Sequence, residues 1–119
     1  MKILAYLATI SLLSLSVMPL MGQERHSHDG EVGQFYMRWM QPGTRTVSCC
    51  NNQDCEVVEQ VRRFNGQIQM LRKSDGQWLT IPPDRLESNH DDARDSPDGR
   101  SHMCSRFDNV FCAVLGSGI

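Results

Sequence analysis

The chain has almost no net charge: 12 basic and 14 acidic side chains leave its 119 residues at −2. Without a basic excess there is no electrostatic case for a nucleic-acid binder, because such affinity rests on neutralising phosphates. Aromatic residues are scarce at 7%, so a large aromatic core is excluded. There is no internal repeat, no Cys-x-x-Cys, no serine-nucleophile motif and no Asn-x-Ser/Thr acceptor. Those gaps leave solenoid arrays, thioredoxin-type redox catalysis and hydrolases of the serine class without a signature. The length excludes multidomain enzymes, dinucleotide folds and barrels, since single domains run about 100–150 residues.

Long apolar runs are missing too, except at the start. Lys2 is followed by an apolar stretch from Ile3 to Met18, which Pro19 ends. A basic start, a short apolar segment and then a break make a secretory leader. Cleavage after Gly22 is expected, with a cut after Ser16 as the weaker choice. A retained membrane anchor fits less well, because the stretch falls short of the ~20 apolar residues a spanning helix needs. Removing residues 1–22 leaves 97 residues, takes Lys2 away and moves the net charge to −3. Only 27 hydrophobic residues other than cysteine remain in 23–119. That is a thin core for one small domain, and exported domains of this kind are stapled by disulfides. All five cysteines lie in this part.

Along the chain, 23–29 are polar and expected to be loose, as are 115–119. Asp29 can cap a helix in which Val32, Phe35, Tyr36, Trp39 and Met40 share one face. Glu31 suits the positive end of its dipole, Gly33 weakens it and Pro42-Gly43 ends it. Ser48-Cys49-Cys50-Asn51-Asn52-Gln53-Asp54-Cys55 is a knot of turn formers and thiols. Residues 56–64 allow helix or strand, and strand is favoured because Asn65-Gly66 is a strong hairpin turn and 67–71 alternate after it. Ser74-Asp75-Gly76 then leads into 77–81, so the three segments read as one antiparallel meander. Pro82-Pro83 closes it, Asp84 to Glu87 suit a helical turn, and 88–101 form a charged loop. Two short strands, 102–104 and 110–114, flank a loop from Ser105 to Asn109. The expected fold is α+β, with one N-terminal helix on a small antiparallel sheet.

The order of these features, His-Asp, aromatic helix, Cys-Cys-Asn-x-x-Asp-Cys, Ile-Pro-Pro, Ser-Pro-Asp-Gly-Arg-x-His-x-Cys and Phe-Cys, resembles a group. These are the small exported cysteine-rich proteins of unknown function found mainly in alphaproteobacteria, and the likeness runs from His28 to Cys112. Here the Pro often seen after Cys55 is lacking, and none follows Cys112. The resemblance implies a small bacterial, periplasmic domain and carries no activity.

Five cysteines allow two bridges and a leftover, and spacing alone does not choose among the arrangements. Cys49 and Cys50, being adjacent, point apart and are expected to bridge to different partners. Cys104 and Cys112 could close their own hairpin or tie back to the 49–55 segment. The second is expected, because longer loops give more stabilisation. The leftover thiol is expected to be buried or to link two chains as a dimer.

Metal ligands are present in loose form: His26-x-His28, Cys50-x4-Cys55 and His102-x-Cys104. The paired short spacings of zinc sites are missing. Trimming one residue beyond Gly22 would put His26 third in the chain, an arrangement suited to copper or nickel. Asp91, Asp92, Asp95 and Asp98 offer oxygens for calcium, yet no Glu completes an EF-hand loop. In Asp98-Gly99-Arg100-x-His102, Arg100 could hold an anion and His102 act as acid or base. The plainer reading is a turn followed by a strand. The expectation is therefore a non-enzymatic binding or structural domain, without cofactor, for an envelope protein or ligand. Metal handling through His26, His28 or His102, and an enzyme or inhibitor built on Asp98, Arg100 and His102, are the alternatives.

Overall fold

The computed structural model describes residues 30–50 and 54–118. His26, His28 and the leader lie outside them. Helix α1 spans Gly30–Arg38, with Glu31 in its first turn and Arg38 in its last. Those charges complement the helix dipole. Tyr36 and Trp39 are buried as the aromatic periodicity predicts, whereas Met40 is exposed. Met40 lies beyond the helix and pairs instead with Ser48 through a lone bridge.

Among the described residues six strands follow: β1 Cys55–Val58, β2 Val61–Phe64, β3 Gln67–Arg72, β4 Gln77–Thr80, β5 Ser101–Arg106 and β6 Asn109–Val114. They form two antiparallel three-stranded sheets, β1-β5-β6 and β2-β3-β4. The fold is α+β as expected, but the single sheet becomes two. The segment 56–64 divides at Glu59 and Gln60, both exposed. Its first half joins the C-terminal hairpin and its second half keeps the meander, with Val61 opposite Met70 and Phe64 opposite Gln67. Asn65 and Gly66 turn this hairpin with φ of 50° and 75°. Positive φ at both central positions is the geometry that matches strand twist. The expected loop from Ser105 to Asn109 is also corrected. β5 runs on to Arg106 and β6 starts at Asn109, leaving a two-residue turn of Phe107 and Asp108.

Alternation then sorts the side chains of β1-β5-β6 onto two faces. Cys55 faces Cys104 and Cys104 faces Cys112, while Val57 faces His102 and His102 faces Val114. On this face the three cysteines and Val114 pack with Tyr36 of α1 and with Trp39 just beyond it in one buried cluster, and His102 meets the Tyr36 ring edge-on. The other face presents Val58, Met103, Val110 and Ala113 to Met70 and Leu79 of the second sheet. The molecule is thus layered helix, sheet, sheet. β5 is the middle strand of the middle layer, and its residues from Ser101 to Ser105 are all buried.

Pro83–Arg85 and Glu87–Asn89 form two short 3-10 turns, where one helical turn is expected. Leu86 between them bridges to Ala113. The start of the tail, expected to be loose, is anchored. Leu115 packs on the inter-sheet core, and the Gly116 N–H donates to the Ser101 hydroxyl at 2.8 Å. The far face of the second sheet is open, with the Arg62 guanidinium 4.0 Å from the Trp78 ring.

Candidate functional site

The cysteine row explains the bridges. Side chains opposite one another on neighbouring strands stand on the same face, so Cys55, Cys104 and Cys112 line up across the sheet. Cys55 pairs with Cys104, and Cys49 comes over the same face to pair with Cys112. The C-terminal strands are tied to the 49–55 segment as expected, through four cysteines that are 0% exposed. The expectation that Cys49 and Cys50 both bridge is not met: Cys50 carries a free, half-buried thiol. With the row of three completed by Cys49, the face offers Cys50 no fourth half-cystine. Two buried disulfides fit an oxidising compartment outside the cytoplasm. No helix among the described residues is long and apolar enough to cross a membrane.

The structure brings Asp98, Arg100 and His102 together and adds a partner that the sequence did not indicate. His102 sits on the α1 face of β5 with no exposed surface. Its Nε2 lies 2.7 Å from Asp98 Oδ1 and its Nδ1 lies 2.6 Å from the Tyr36 hydroxyl. Asp98 also accepts from the Arg100 backbone N–H at 3.0 Å and from Arg100 Nε at 2.6 Å. Burial alone would raise the Asp98 carboxyl. The hydrogen bonds from His102 and Arg100 outweigh it and hold the group far below the usual carboxylate range. Burial pushes His102 below the ordinary histidine value, and Asp98 opposes this without cancelling it. Burial, and then the Asp98 charge, lift the Tyr36 phenol well above its ordinary value.

These directions assign the protons. An ionised Asp98 can only accept, so neutral His102 carries its hydrogen on Nε2 and Tyr36 donates to Nδ1. The result is a chain Tyr36–His102–Asp98–Arg100 running from the helix to the surface turn. Chemically it resembles an acid–base relay, but both ring nitrogens are spoken for and the ring is sealed beneath Phe35 and Tyr36. A metal at His102 would have to displace one of those two partners.

A second buried network escapes sequence reading altogether. Glu87 is 1% exposed. It accepts from Trp39 Nε1 at 2.6 Å, from both terminal nitrogens of Arg45 at 2.7 Å and from the Arg94 N–H at 3.0 Å. Burial pushes Glu87 up, but these bonds, Arg45 first, leave it below its ordinary value. Arg45 reaches this position from a left-handed backbone, φ 52°, and its other edge holds Asp92. The acidic loop is therefore not one cluster. Asp92 is committed to Arg45, while Asp98 is committed to His102 and Arg100. Among the described residues no group of three His, Cys, Asp or Glu side chains is arranged to hold a metal.

Surface clefts lie elsewhere. One of about 280 Å³ is lined by residues that include Asp54, Glu56, Arg72, Asp75 and Arg106. Another, of about 460 Å³, lies between α1 and the 94–97 segment. Neither is lined by Tyr36, Asp98 or His102. Compared with protein-family models, curated proteins and solved structures, the chain has no match.

Proposed function

We propose that this is an exported, disulfide-stapled domain of the bacterial envelope that works by binding or by structural interaction rather than by catalysis. The observation that carries this reading is the closure of the Tyr36–His102–Asp98 chain. The sharpest acid–base constellation among the described residues has both ring nitrogens bonded within the fold, its ring has no exposed surface, and neither of the two clefts described above is lined by it. A general acid or base must come within hydrogen-bond reach of a substrate proton. Here the chain holds α1 to the middle sheet instead. The leader-like first 22 residues and the two buried bridges support export to an oxidising space.

The test is a disulfide map by mass spectrometry, with thiol counting in denaturant and metal analysis, on protein exported to the periplasm. The expected result is Cys49–Cys112 and Cys55–Cys104 peptides, one titratable thiol and no bound metal. Three or more free thiols together with bound zinc or copper would overturn the reading and favour metal handling.

A further inference from the structure

The cleft of about 460 Å³ beside α1 gathers two arginines whose charge is unspent. Of the arginines among the described residues, Arg45, Arg72, Arg85, Arg100 and Arg106 are held by carboxylates. Arg62 is held by Gln69 and the Trp78 ring. Arg38, Arg63 and Arg94 have neither an ion pair nor a side-chain hydrogen bond among the described residues. Of these, Arg63 stands alone at another cleft, whereas Arg38 and Arg94 line this one together. Phe35, Pro97 and Trp39 line the same cleft. The size falls within the ~300–1,000 Å³ of small-molecule sites, which combine apolar walls with a few polar groups. Two unpaired guanidiniums beside an aromatic wall match a carboxylate attached to a flat apolar body.

The helix also gives the cleft a direction. Glu31 and Arg38 are seven residues apart on α1, two turns and about 10 Å along one face, with Phe35 between them. Along the helix side of the cleft, Arg38 therefore attracts an anion at one end and Glu31 repels it at the other. We propose that this cleft is a binding site for small aromatic monocarboxylates, with the carboxylate between Arg38 and Arg94 and the ring against Phe35 and Pro97. The proposal deepens the binding-domain reading and rests on it.

The experiment is a titration of the oxidised, exported protein with 2-naphthoate, followed by amide NMR and calorimetry. 2-Naphthamide and 2,6-naphthalenedicarboxylate serve as comparison probes. 2-Naphthoate is expected to bind saturably and to shift the amides of Phe35, Arg38 and Arg94. Arg38→Gln and Arg94→Gln should each weaken it about tenfold, and both are exposed, so folding is unaffected. Arg63→Gln, which removes the same charge at a different cleft, should leave affinity unchanged. 2-Naphthamide should bind at least tenfold more weakly. The dicarboxylate should bind more weakly as well, and Glu31→Gln should restore it. Absence of saturable binding, equal binding of naphthoate and naphthamide, or shifts confined to another face would overturn the site. The disulfide map on the same sample separates the two readings. A correct map without naphthoate binding removes only this site, whereas free thiols with bound metal remove the binding-domain reading beneath it.

Discussion

His102 shows how burial converts a reactive side chain into a structural one. Its ring is neutral in the fold because charging it would cost solvation that Asp98 only partly returns. The sign of the resulting pH effect follows from linkage. A histidine whose folded value lies below its ordinary one, about 6.5, binds protons more readily when unfolded. Stability is therefore lost as pH falls through about 6.5 towards the folded value. Asp98, held low in the fold, contributes stability above the ordinary carboxylate value of about 3.9 and loses it in stronger acid. The melting temperature is expected to be flat above about pH 7 and to drop as pH falls below about 6.5. His102→Gln, which keeps a donor and an acceptor without titrating, should remove most of that drop. Tyr36→Phe should cost about 1–3 kcal/mol at neutral pH, because it strands the buried Nδ1 acceptor. Calorimetric scans of the three proteins across this pH range would decide the matter. An unchanged acid slope in the glutamine variant would show that another group carries it.

At the scale of elements, local signals worked where a segment has one wet face. The alternation of 67–71 and 77–81 around Asn65-Gly66 and Ser74-Asp75-Gly76 produced β3 and β4, with Met70 and Leu79 inward. The aromatic spacing likewise found Tyr36 in α1 and Trp39 just beyond it. The signals faltered where a strand is covered on both sides. β5 reads Ser-His-Met-Cys-Ser and is buried throughout. Its alternation does not separate inside from outside but sorts residues between two cores. The division of 56–64 is invisible for a related reason. Val57, Val58 and Val61 are equally apolar whichever sheet they serve. Only the cross-strand partners, His102 and Ser101 for the first two and Met70 for the third, distinguish them. The tail shows a packing constraint that composition hides. A Cβ at Gly116 would lie 2.5 Å from the Gly99 carbonyl oxygen and 2.8–2.9 Å from the backbone of Arg100 and Ser101. Backbone cannot yield as a flexible side chain does, so Gly116→Ala should cost about 1–3 kcal/mol. Urea unfolding of the variant should show an earlier midpoint with an unchanged m-value, and wild-type stability would refute the contact.

For the whole molecule, the two bridges are what a thin core requires. They close loops of 63 and 49 residues, each worth about 4 kcal/mol when formed alone. They are nested, so together they give less than twice that. Cys49→Ala/Cys112→Ala and Cys55→Ala/Cys104→Ala should each cost about 2–5 kcal/mol. Cys50→Ala, which breaks no bridge, should stay within about 1 kcal/mol of the parent. Guanidinium unfolding of the three variants would test this, and a Cys50 effect as large as either pair would mean that the odd thiol carries structure.

The sequence by itself determined the class: a thin-cored chain with a leader-like start, one amphipathic helix, hairpin strands and a need for covalent staples. It also singled out Asp98, Arg100 and His102 as a unit, because three polar residues within five positions stay close in any backbone. What only the tertiary structure decided is who meets across distance. Tyr36 reaches His102, Trp39 and Arg45 reach Glu87, and Cys49 rather than Cys50 reaches Cys112. Each of these contacts spans more than 40 positions and joins segments that are remote in sequence. Local periodicity reports which side of an element is apolar. The layer that covers that side is chosen by how the elements stack, and the charges and thiols on it then acquire their partners.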